Sequence, residues 1–115
     1  MSNKAPQFNS LKEFYPYYLM EHSLLSTRIT HFIGTSLLFI LVVLAFLWQK
    51  WILFAFLPLA GYGFAWFGHF FFEKNKPATF QYPLYSLASD FIMYWHILTF
   101  QINKEMKKAE KLFPK

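Results

Sequence analysis

The stretch THFIGTSLLFILVVLAFLWQKWILFAFLPLAGYGFAWFGHFFF, Thr30–Phe72, contains one formally charged side chain, Lys50. A helix needs about 20 apolar residues, at about 1.5 Å each, to cross about 30 Å of hydrocarbon. Apolar sequence of that order lies on both sides of Gln49-Lys50: Phe32–Trp48 before it and Trp51–Phe72 after it. The two-residue separation predicts a tight antiparallel hairpin, with each helix satisfying its own backbone polar groups. Trp48 and Trp51 flank the turn, and indole rings favour a membrane–water boundary. Pro58 is expected to bend the second segment. Ala60, Gly61, Gly63 and Ala65 permit close approach of a neighbouring helix.

Composition points the same way. The chain has 115 residues, 56% hydrophobic and 23% aromatic, with 15% charged, against about 25% charged in a typical soluble domain. A chain this short is one domain, 1–115, and is too small to bury so much aromatic surface in a core of its own. It has no cysteine, which excludes a disulfide framework and any thiolate-ligated metal. The net charge of +5, in so apolar a chain, points to anionic lipid headgroups and not to nucleic acid.

Working outward from the hairpin, Glu73–Pro83 reads as a loop broken by Pro77 and Pro83. A third apolar segment, Leu84–Phe100, carries Asp90 and His96 and is only marginally long enough to span. Ser10 and Glu13 fit a capping box, followed by Leu11, Phe14, Tyr15, Tyr18, Leu19 and His22 at helical spacing. Pro16 is expected to kink that helix or make it start afresh. In the basic tail, 101–115, Ile102, Met106, Ala109 and Phe113 form a stripe opposite Lys104, Lys107, Lys108 and Lys111. That pattern suits an amphipathic helix lying on a membrane surface. The expected architecture is all-α: a small, multi-pass integral membrane protein with a central transmembrane hairpin, a third apolar helix and amphipathic terminal helices. If only the hairpin crosses, ten of the eleven Lys and Arg lie on one side, which places both termini in the cytoplasm. A third crossing divides the same charges five against six, and the rule is then silent.

The scarce polar residues locate the chemistry. His31 lies eighteen residues before Gln49, and His69 nineteen after Lys50. In an antiparallel hairpin they therefore reach nearly the same depth, at the end opposite Lys50. Glu73, four residues after His69, shares its helical face and makes a pair suited to one metal. His22 joins them if the chain breaks within Ser23–Thr27, where Ser23, Ser26 and Thr27 are capable N-caps. Imidazole and carboxylate without thiolate suit iron(II), manganese or zinc. Asp90 is an intramembrane carboxylate able to orient a ligating histidine. Arg28 is placed to meet an anionic headgroup through its guanidinium fork. His96, six residues from Asp90, faces elsewhere on its helix and is read as structural.

The segments EFYPYYLMEHSLLSTRITHFIGTS (13–36) and GHFFFEKNKPATFQYPLYSLASDFIMY (68–94) resemble the Mpo-like 2-hydroxy fatty acid dioxygenase family, over roughly Leu11 to Phe100. The specific elements are G-H-x-x-x-E-x-N-x-P-A-T-F at Gly68–Phe80, P-L-x-S-L-x-x-D at Pro83–Asp90 and H-x8-H-x-x-G at His22–Gly34. The resemblance implies iron(II)-dependent α-oxidation, in which dioxygen converts a long-chain 2-hydroxy fatty acid to an acid one carbon shorter. It further implies His22, His31 and His69 as metal ligands, with Glu73 and Asp90 at the family's acidic positions. Arg28 as carboxylate anchor is an inference from its chemistry. Two other classes fit the residues: a haem held between His31 and His69, and a non-catalytic protein that organises lipid through its aromatic hairpin.

Overall fold

The computed structural model describes residues 7–114. The helices among them are α1 (Leu11–Met20), α2 (Leu25–Trp48), α3 (Leu57–Phe67), α4 (Pro83–Leu98) and α5 (Ile102–Leu112). A 3₁₀ segment, Trp51–Phe56, leads into α3, and a π-helical turn, Gly68–Glu73, extends it. A short 3₁₀ turn, Ala78–Phe80, precedes α4, and there is no strand among the described residues.

The hairpin forms where expected. Gln49 enters the left-handed region at φ 52°, which stops α2, and the Lys50 N–H donates to the Ala45 carbonyl at 3.1 Å. Pro58 falls in the first turn of α3, where its missing N–H would have had no partner. The expected bend is thus a change from 3₁₀ to α winding. The two arms touch through small residues. A Cβ on Gly34 would lie 2.8 Å from the Ala60 carbonyl oxygen and 2.9 Å from the Phe64 Cβ. Ala60 is buried, and Gly61 faces Leu38 across the contact. Gly63 meets only Leu59 of its own helix, so it takes no part in that contact. Because the Gly34 neighbours are main-chain and Cβ atoms that cannot rotate away, Gly34→Ala is expected to destabilise the fold by about 1–3 kcal/mol. Thermal or denaturant unfolding of the purified protein measures it.

Both arms, Leu25–Trp48 and Trp51–Glu73, are long and apolar enough to cross a membrane, and most of their residues face outward. Ile40, Val43, Phe46, Leu47, Ile52 and Leu59 are all exposed. Neither arm is therefore the covered core helix of a compact domain. The packed core lies beside the hairpin, where α1 meets α4 and α5 around Phe14, Tyr18, Leu19, Met93 and Ala109.

This core corrects the expectation for the two ends. Ile102, Met106, Ala109 and Phe113 pack against the α1 core, so the apolar stripe of α5 is covered by protein and is not the face offered to lipid. Its lysines remain exposed. An amphipathic stripe is satisfied equally by lipid or by another helix, and here the apolar face of α1 supplies the second surface. Ser10 caps α1 as expected, accepting from the Glu13 N–H at 3.2 Å, while Glu13 reaches back to the Asn9 N–H at 3.1 Å. Pro16 lies within α1 without interrupting it.

The third apolar segment forms α4, of 16 residues. At about 1.5 Å per residue that is about 24 Å, less than the about 30 Å of a hydrocarbon core. It packs on α2 instead: the Tyr94 ring stacks on Phe32 at 4.8 Å, and its hydroxyl meets Ser36 Oγ at 3.0 Å. This contact carries Asp90 to the open end of the hairpin.

Candidate metal centre

Three buried histidines meet at that end. His22 comes from the link between α1 and α2, His31 from α2, and His69 from the π-helical turn. One ring nitrogen from each lies within 4.8 Å of the others. Ring centroids are 4.3 Å apart for His22 and His69, 4.9 Å for His22 and His31, and 6.3 Å for His31 and His69. The equal depth inferred by counting outward from Lys50 therefore holds, and His22 does fold back onto the pair.

The break that allows this lies at 21–24, slightly earlier than Ser23–Thr27. Leu24 is the N-cap of α2 and makes no side-chain cap of its own. Glu73 supplies the acceptor instead: one carboxylate oxygen takes the Leu24 N–H, and the other takes the Ser23 hydroxyl at 3.0 Å. A carboxylate is the favourable charge at a helix N-terminus. Glu73 thereby ties the segment carrying His69 to the start of α2, and it is not among the residues whose donor atoms converge.

Arg28 works on the same link. Its Nη1 donates to the carbonyls of His22 and Ser23, both at 2.8 Å. Beyond these bonds it borders an apolar opening with Leu25, Ile29, Phe32 and Ile97, and does not line the histidine cavity. The structure thus places Arg28 behind His22.

The imidazoles are oriented from outside the cluster. His22 Nδ1 donates to the Tyr18 carbonyl at 2.7 Å, which puts the lone pair on Nε2. That Nε2 is buried and has no hydrogen-bond partner among the described residues. His69 Nδ1 donates to Asn75 Oδ1 at 2.7 Å, and Asn75 Nδ2 donates to the Glu21 carbonyl at 3.0 Å. The second bond fixes which end of the amide is oxygen, and so fixes the His69 tautomer as well. Asp90 Oδ1 lies 3.4 Å from His31 Nε2 and accepts the Tyr18 hydroxyl at 2.5 Å. Burial pushes the Asp90 carboxyl up to about 7, against the opposing pull of the Tyr18 bond. Burial, reinforced by the neighbouring His69 and His31, holds His22 well below the ordinary imidazole range. Both effects favour neutral imidazole, the form that ligates a metal.

The space between these groups is about 10 Å³, close to the volume one water or ion needs. It is bounded by Tyr18, the three histidines and Asp90, together with Trp66 and Ser86. Trp66 Nε1 and Ser86 Oγ are buried there without partners among the described residues. A neutral, unpartnered imidazole nitrogen amid nitrogen and oxygen donors fits a divalent metal of the iron, manganese or zinc type. It does not fit a macrocycle, for which there is no room. His96 lies apart, its Nδ1 bonded to the Tyr15 hydroxyl at 2.7 Å.

The family model described as 2-hydroxy-palmitic acid dioxygenase Mpo1-like matches residues 8–102. The chain belongs to this family. The Mpo1-like match includes all three clustered histidines and Asp90, and it ends at the start of α5. No curated protein and no solved structure matches the chain.

The sequence alone does not mark Tyr18, Asn75, Trp66 and Ser86 as neighbours of the histidines. Asn75 and Ser86 stand at fixed positions of the two motif elements, and Tyr18 lies one helical turn before His22. Trp66 is one of four tryptophans in the chain, and no pattern distinguishes it.

Proposed function

We propose that this chain is an iron(II)-dependent dioxygenase of long-chain 2-hydroxy fatty acids, embedded in a membrane by its hairpin and shortening its substrate by one carbon. The observation that carries this reading is the cluster of His22, His31 and His69 with the buried, unpartnered Nε2 of His22 at its centre. Family membership supplies the reaction class. Outward-facing apolar arms of spanning length need hydrocarbon as their solvent, and the cluster then lies near the membrane surface opposite Lys50. The charge distribution favours both termini in the cytoplasm, with 1–115 as one domain.

Iron(II) held by the three imidazoles would supply the redox chemistry that lets dioxygen react with the acid. The protein groups divide the remaining work. Asn75 and the Tyr18 carbonyl hold His69 and His22 in the ligating tautomer. Asp90 would take the proton of the substrate hydroxyl, with the Tyr18 hydroxyl orienting the carboxylate. Glu73 and Arg28 act on position, by holding the link that carries His22. The unpartnered Trp66 N–H and Ser86 hydroxyl are suited to an anionic oxygen of the substrate. A lipid-organising protein without chemistry has no use for a buried cluster of this kind.

The test is metal analysis of detergent-purified protein, followed by aerobic incubation with 2-hydroxypalmitate and mass analysis of the product. The expected result is about one iron per chain and an acid one carbon shorter, formed only in air. Full consumption of the acid by metal-stripped protein would sink the reading.

A further inference from the structure

We propose that the groove between α2, α3 and α4 seats the acyl chain of the substrate, which enters sideways from the hydrocarbon with its carboxyl end leading. This rests on the reading of the histidine cluster as a 2-hydroxy acid site and adds how the tail is recognised. The groove has a volume of about 260 Å³. It adjoins the metal cavity, since His31, Tyr62 and Asp90 line both. Beyond those three, its walls include Leu38, Leu57, Pro58, Gly61, Leu87 and Phe91, none of which carries a charge.

The direction is set by the hairpin. His31, Thr35 and Leu38 are spaced at four and three residues, so they share one face of α2 and step toward the Gln49-Lys50 turn. From His31 to Leu38 is about 10 Å along the helix axis. Pro58 and Leu57 take the α3 wall the same way. The groove thus leads from the cluster toward the interior of the membrane. It opens to the side, since Leu87 and Phe91 are 45% and 41% exposed. Gly61 keeps the floor low: any larger side chain there would project beside Leu38.

The other large opening is unsuited to a hydrocarbon chain. It measures about 580 Å³ and is walled in part by Glu21, Lys74, Asn75, Lys76 and Gln81. Pro77 and Ala78 border both it and the metal cavity. The cluster therefore sits between a charged opening and an apolar one, and an amphiphile is oriented by that difference alone.

The experiment uses the full chain in lipid nanodiscs with a 2-hydroxy fatty acid bearing a diazirine a few carbons from its carboxyl. After illumination, label is expected on peptides carrying Leu38, Leu57, Leu87 or Phe91. Leu87→Trp, which fills the mouth from an exposed position, is expected to remove most of that label. It should also lower kcat/KM for 2-hydroxypalmitate by about 10-fold or more, through misplacement of the chain. 2-Hydroxybutanoate, whose chain ends before the groove, should change by less than about twofold under the same rule. Leu59→Trp, on the outward face of α3, serves as the control and should leave both unchanged. Label spread evenly over the hairpin, or unaltered by Leu87→Trp, would overturn the groove even in a fully active protein. Label in the groove of a protein that consumes no 2-hydroxy acid would overturn the proposed reaction and leave the groove standing.

Discussion

His69→Ala is expected to abolish consumption of 2-hydroxypalmitate and to leave the protein without stoichiometric iron. His69 is one of the three proposed nitrogen ligands, held in its tautomer by the Asn75–Glu21 relay. Loss of an outer-shell partner alone costs a metal site about 10- to 100-fold in affinity, so loss of the ligand itself should exceed that. The metal-free fold should survive the change. The ring nitrogens that converge within 4.8 Å do not bond to one another, and the α1–α4–α5 core is elsewhere. Stability therefore separates the two roles. Iron(II) at 100 times its dissociation constant should stabilise the wild-type protein by about 2.7 kcal/mol, seen as a raised unfolding temperature, and should not stabilise His69→Ala. His96→Ala is the matched control: it removes a histidine bonded to Tyr15, outside the cluster. If His69→Ala binds iron and turns over as the wild type does, the centre is not where the histidines meet.

The sequence disclosed the hairpin because span length and absence of charge are properties of a segment read alone. The equal depth of His31 and His69 followed from the same fact, since a two-residue turn fixes the register of both arms. His22 was legible as a candidate once a chain break was allowed, though not how that break is held. Its cap comes from Glu73, some fifty residues away, and no local pattern distinguishes a carboxylate that caps a distant helix from one that binds metal. The carbonyl partners of Arg28 are illegible for a related reason: a guanidinium beside a polar link finds carbonyls as readily as carboxylates. The stripe of α5 is the sharpest case. Ile102, Met106, Ala109 and Phe113 would read identically against lipid, and only the three-dimensional position of Phe14, Tyr18 and Leu19 decides that they meet protein. Asp90 was recognised by its cost in an apolar helix, whereas its partners Tyr18 and His31 come from α1 and α2.

A residue with no side chain should prove nearly as important as the three histidines. Gly68 precedes His69 in the π-helical turn, and a Cβ there would stand 2.3 Å from Thr30 Oγ1 and 3.4 Å from the Thr27 Cα. The Thr30 hydroxyl is committed to the Thr27 carbonyl at 2.8 Å, and a β-branched side chain in a helix has few other rotamers. Gly68→Ala must therefore push the π-helical turn away from α2, and His69 moves with it while His31 stays. The fold should lose about 1–3 kcal/mol, the usual cost of overpacking. Iron affinity should fall by about 10-fold or more, as when the support behind a ligand is disturbed. Pairing the change with Thr30→Ala identifies the cause. Removing the Thr30 hydroxyl takes away the nearer clash but not the Thr27 main chain, so the double variant should recover part of both losses. Two neighbours in contact are expected to couple by about 0.5–3 kcal/mol in such a cycle. Purely additive effects would mean that close approach at Gly68 does not set the position of His69.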